Sequence, residues 1–84
     1  MTVALMWEAR AVEGRGDELL AWVRTQTLAP EPLRRETLRA PQDRVLVLTW
    51  WDADYDADLP ELPEPAAGLV ARAVHRWRFE TVAV

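Results

Sequence analysis

The octapeptide Arg44-Val45-Leu46-Val47-Leu48-Thr49-Trp50-Trp51 constrains this chain more than any other stretch. In an extended strand, neighbouring side chains face opposite sides. Val45, Val47 and Trp51 therefore share one face, and Leu46, Leu48 and Trp50 share the other. Both faces are apolar, which places the strand in the middle of a sheet covered on two sides. Residues 2–10 have the same character over most of their first half. Val3, Leu5, Trp7 and Ala9 alternate with Thr2, Ala4, Met6, Glu8 and Arg10. Two such strands need two layers of cover, and a chain of 84 residues has little chain left to supply them.

The rest of the chain reads as follows. Gly14-Arg15-Gly16 is a turn signal. Asp17 and Glu18 then put two acids in a helix's first turn, where the dipole favours them. The helix is predicted over about 16–28, stopped by Pro30 and Pro32. At roughly 100° per residue, Leu19, Leu20, Trp22, Val23, Gln26 and Thr27 share one arc. Residues 33–40 form a polar strand whose charge suits a sheet edge, and Pro41-Gln42-Asp43 turns it into 44–51. Residues 52–65 carry four Asp, two Glu and three Pro and read as a loop. A short helical turn is expected at 66–71, and a last strand at about 73–83. In that strand His75, Trp77 and Phe79 alternate with Arg76, Arg78 and Glu80.

The order strand, helix, strand, strand, short helix, strand is the ferredoxin-like split βαβ unit (βαββαβ). It predicts one α+β domain over 1–84 with a four-stranded antiparallel sheet. Strands one and three lie in the middle, and two and four at the edges. One sheet face lies against the helices. The other is apolar too, so a homodimer through that sheet face is expected.

Composition removes several classes of function. A net charge of −4 argues against nucleic-acid binding. No run of about 18 apolar residues or charged leader is visible, so a cytoplasmic protein with no membrane partner is expected. The chain has no Ser, Cys, Lys, Asn or Ile, which excludes serine and cysteine nucleophiles and lysine Schiff bases. Its Arg, Ala, Val and Leu richness resembles a GC-rich bacterial genome. Asp52, Asp54, Asp56 and Asp58 mimic the first ligands of a calcium loop. However, the required Gly is Ala57 and the closing Glu is Pro63, so no metal is expected. The segment Gly14-Arg15-Gly16-Asp17-Glu18-Leu19 lacks the third glycine of a dinucleotide fingerprint and carries acids where phosphate would bind.

Few residues remain that could carry chemistry. His75 is the chain's one imidazole, a group suited to removing a phenolic proton near neutral pH. It is the candidate base, provided its face is the helix side. The alternative is a structural histidine bonded to a carbonyl. Trp7, Trp22, Trp50, Trp51 and Trp77 could build a slot for a planar aromatic ligand, or plain core. Trp50 and Trp51, being adjacent, face opposite sides. Gln26, Thr27 and Thr49 are polar residues on apolar faces. They could orient a ligand carbonyl or hydroxyl, or bond backbone and buried water.

Several stretches together resemble the antibiotic-biosynthesis-monooxygenase-like family of dimeric α/β barrels. They are Met6-Trp7-Glu8-Ala9, Glu13-Gly14-Arg15 before Asp17-Glu18-Leu19-Leu20, Arg44 to Trp51, and His75-Arg76-Trp77-Arg78-Phe79-Glu80. The resemblance spans nearly the whole chain. It implies a dimer of two sheets packed face to face. It also implies a pocket between sheet and helices, where family members oxidise quinols, anthrones or haem with O₂, several without flavin or metal. Lack of Asn argues against the haem-degrading branch. A Pro- and Asp-rich loop stands where the family's second helix roofs the pocket. On this resemblance His75 is the candidate catalytic base. Trp77, Trp50, Trp22, Gln26, Phe79 and Thr49 are the candidate substrate-binding residues, and no cofactor is expected. A non-catalytic dimer that binds a ligand or partner protein, and a polyketide cyclase-like protein, are the alternatives.

Overall fold

A computed structural model describes residues Met1–Val84. Strand β1 (Thr2–Arg10) leads into helix α1 (Gly16–Thr25). Strands β2 (Arg34–Ala40), β3 (Arg44–Asp52) and β4 (His75–Glu80) follow. The sheet order is β2-β3-β1-β4, antiparallel throughout. The two doubly apolar strands are thus the central pair, and the polar ones form the edges. This is the ferredoxin-like arrangement with one difference: no second helix forms. Between β3 and β4 the chain makes only two isolated turns, in which Ala57 N–H donates to the Asp54 carbonyl at 3.0 Å and Leu69 N–H to the Ala66 carbonyl at 2.9 Å, and Val70 bridges to Ala11. Pro60, Pro63 and Pro65 interrupt the stretch before it, each lacking the amide a helix needs.

The alternating residues divide cleanly. Val3, Leu5, Trp7 and Ala9 of β1 and Val45, Val47, Thr49 and Trp51 of β3 are buried. They face α1, whose buried residues are Gly16, Leu19 and Val23. Leu62, Leu69 and Val74 of the long connection complete this core. On the other face nothing covers the sheet. Ala4, Met6, Leu46, Leu48 and Trp50 are only half-buried, and Trp77 and Phe79 are exposed. The molecule is a slab 18 Å thick at its thinnest, one sheet with one layer upon it. Only 16 of 84 residues are buried, a small core for an independent fold.

Helix α1 ends three residues before its predicted stop. Gln26 is already extended (ψ 126°). Arg35 of β2 donates to the Val23 carbonyl at 3.0 Å and the Gln26 carbonyl at 2.6 Å, taking up carbonyls that a further turn would have used. The helix start is fixed from the β2–β3 hairpin. Gln42 and Asp43 both adopt positive φ (67° and 59°), as a tight right-twisted hairpin requires. The Asp43 carboxylate accepts N–H bonds from Gly14 at 3.0 Å and Gly16 at 3.2 Å. An anion at a helix N-terminus is favoured by the dipole. Here that anion is the protein's own side chain.

Candidate functional site

Strand β4 pairs with β1 so that His75 lies opposite Glu8, Trp77 opposite Met6 and Phe79 opposite Ala4. Those β1 residues face away from the helix. The alternation of β4 is as predicted, but the aromatic face points to the open side of the sheet. The condition attached to His75 is therefore not met: it does not approach the space between sheet and helix. The cause lies in the second connection. With no helix there to bury an apolar stripe, the inward positions of β4 go to arginines that bind loop groups. Arg78 donates to the carbonyls of Tyr55 (2.6 Å) and Ala57 (2.7 Å), and the Tyr55 hydroxyl donates back to the Arg78 carbonyl at 3.1 Å. Arg76 lies 3.8 Å from Glu61 and 4.0 Å from Glu64.

The candidate residues separate into two groups. His75, Trp77, Phe79 and Trp50 share the open face. There His75 Nδ1 lies 3.9 Å from Glu8 Oε1, and Glu8 also pairs with Arg72. Arg34 stacks its guanidinium 5.1 Å from the Trp50 ring centroid, a cation–π contact. Trp22, Gln26 and Thr49 lie on the helix side. Gln26 binds its own helix, donating to the Trp22 carbonyl at 3.4 Å and the Thr25 hydroxyl at 3.0 Å. Trp22 stacks on Trp7 with ring centroids 6.2 Å apart and planes at 26°, within the favourable range for offset aromatic pairs.

Thr49 borders a small, mostly apolar pocket. Leu5, Trp7, Leu28, Val47, Thr49 and Leu62 are among its lining residues, together with Pro60 and Glu61 of the β3–β4 connection. Its cavity volume is about 10 Å³, room for a single water at most. Two polar groups here are notable. The Trp7 Nε1–H is buried with no acceptor, the one such side-chain atom in the chain. The Thr49 hydroxyl accepts from Trp51 Nε1 at 2.9 Å. Sequence reasoning missed Leu28, Glu61 and Leu62. The signal for Leu62 was a pair of leucines, Leu59 and Leu62, in an otherwise acidic, Pro-rich run. The four aspartates of that run gather no metal-ligating cluster, and no helix is long and apolar enough to cross a membrane.

No family model matches the chain, and no curated protein matches it. Among solved structures, it is similar to a protein of Chloroflexus aurantiacus J-10-fl that is described, by assignment, as an antibiotic biosynthesis monooxygenase. The TM-score is 0.65, with 100% of this chain and 96% of that one covered at 19% identity. The two share a fold over their full lengths, in agreement with the likeness carried by β1, the helix start, β3 and β4.

Proposed function

We propose that this protein is a small-molecule-binding homodimer related to the antibiotic biosynthesis monooxygenases. Its ligand, a planar aromatic or polyketide-like molecule, is taken up between sheet, helix and the β3–β4 connection, where the connection must give way because the resting cavity of about 10 Å³ holds one water at most. The observation that carries this reading is the apolar chamber itself, lined in part by Trp7, a residue whose buried indole N–H has no acceptor. Small-molecule sites are concave and apolar with a few placed polar groups. Homodimerisation is supported by the uncovered face of Ala4, Met6, Leu46, Leu48, Trp50, Trp77 and Phe79. A second copy is the partner whose own apolar sheet would match it.

Oxygenation of a quinol or anthrone without metal or flavin is the chemistry the fold relationship suggests, and that suggestion is fold analogy. His75 serves as its base only for a substrate on the open face, between two copies, flanked by Trp77 and Phe79. Binding without turnover is the second reading. It is favoured by the connection that fills the chamber and by the absence of His75 from it. Oxygen uptake with a panel of quinols and anthrones, metal-free and flavin-free, separates the two. Uptake accelerated by the wild type and lost in His75→Ala establishes an oxygenase with a histidine base. Saturable quenching of tryptophan fluorescence by the same compounds, with no uptake, establishes a binding protein.

A further inference from the structure

Residues 58–65 cover the chamber without a single hydrogen bond, backbone or side-chain, to the rest of the protein. Both ends of this segment are tied down. Before it, Arg78 holds the Tyr55 and Ala57 carbonyls. After it, Leu69 N–H binds the Ala66 carbonyl, Arg15 donates to the Gly68 carbonyl at 2.6 Å, and Val12 N–H donates to the Leu69 carbonyl at 2.9 Å. What holds the middle is the burial of Leu62, 3% exposed, and the long contacts of Arg76 with Glu61 and Glu64. A segment with few hydrogen bonds between fixed ends belongs to the part of a fold that opens most easily.

Beneath it are two donors. Trp7 is 4% exposed and its Nε1–H has no acceptor. Thr49 is 5% exposed, and its oxygen receives the Trp51 indole while its hydroxyl proton finds no acceptor in the chain. Both side chains border the same cavity. A buried donor left unpaired costs free energy that a hydrogen-bonded partner returns. Two donors in an apolar wall select one group: an uncharged oxygen acceptor on an otherwise apolar molecule.

We infer that residues 58–65 are a lid that Leu62 keeps shut, and that Trp7 Nε1–H and the Thr49 hydroxyl bind the carbonyl oxygen of an apolar ligand that displaces Leu62. This rests on the chamber being the ligand site. The test compares 1-indanone with indane, which match in shape but differ in the carbonyl. Titrations of the full chain are followed by the indole N–H resonances in a ¹⁵N correlation spectrum. The Trp7 resonance is the one lost in Trp7→Phe. The expected result is that 1-indanone binds at least about 10-fold more tightly than indane, equivalent to one hydrogen bond of about 1.4 kcal/mol. It should shift the Trp7 resonance downfield. Trp7→Phe should reduce the preference, and Trp7→Phe combined with Thr49→Val should erase it, while both still bind indane. Leu62→Ala, which shortens the plug, should tighten both compounds.

Equal affinity for the two compounds would overturn the donor assignment and leave the chamber as an apolar site. Unchanged affinity in Leu62→Ala would overturn the lid. Failure of either compound to bind wild type or Leu62→Ala would overturn the inference together with the chamber reading on which it rests.

Discussion

Replacing Thr49 by valine is the sharpest test of how the buried face of the sheet is held together. Valine has threonine's shape, so packing against Leu5 and Val47 is kept. What is lost is the acceptor for Trp51 Nε1, 2.9 Å away. Both residues are 5% exposed, so water cannot replace it. An indole N–H stranded in the core costs about 1–3 kcal/mol. The methyl that replaces the hydroxyl recovers up to about 0.8 kcal/mol of transfer free energy. With the full recovery the net destabilisation is about 0.2–2 kcal/mol. For a domain of this size that lowers Tm by roughly 1–16 °C. Thermal and urea unfolding at one fixed protein concentration measure it, since dimerisation would otherwise shift the midpoint. The control is the same change in a Trp51→Phe background, where no indole N–H remains. There Thr49→Val should cost nothing or stabilise slightly. The coupling between the two positions should be about 1 kcal/mol. A Thr49→Val protein as stable as wild type, or one that loses the same stability in both backgrounds, would refute the reasoning.

Other outcomes follow from the same geometry. Gly16→Ala should destabilise the protein by about 1–3 kcal/mol, although alanine is the better helix former. A Cβ there would lie 2.6 Å from Asp43 Oδ1 and 3.1 Å from Asp43 Cα. Denaturant midpoints would show it, and a gain in stability would contradict it. Leu48→Arg, placed amid the uncovered sheet face, should convert a sedimenting dimer to a monomer with the circular dichroism of the wild type. A variant still dimeric would mean that the copies join elsewhere. The Glu18 carboxyl should titrate below the usual carboxylate range because Arg15 donates two hydrogen bonds to it, at 2.8 Å each. A depressed folded-state pKa contributes stability above the ordinary carboxyl pKa and loses it as pH falls through the lowered value. Carbon-13 titration should find that Arg15→Ala restores the ordinary value. The pair is solvent-exposed, so the effect on overall stability should be small and weakened by salt.

The amino-acid order alone determined the sheet. Two strands apolar on both faces can only be central, and a strand as charged as Arg34–Ala40 can only be an edge, because burial free energy scales with the apolar surface each position hides. It also determined the helix start, through paired acids after a glycine turn, and the absence of a regular helix over 52–65, through three prolines. The sequence could not say which face of β4 turns inward, because strict alternation has two registers and both put a plausible set toward the core. That choice depended on what lies across from β4. Loop carbonyls at Tyr55 and Ala57 and carboxylates at Glu61 and Glu64 bind Arg78 and Arg76, which turns His75, Trp77 and Phe79 to the open side. The chamber was illegible for the same reason. Trp7, Thr49 and Leu62 stand far apart in sequence, and only the packing of the β3–β4 connection onto the sheet brings them to one cavity.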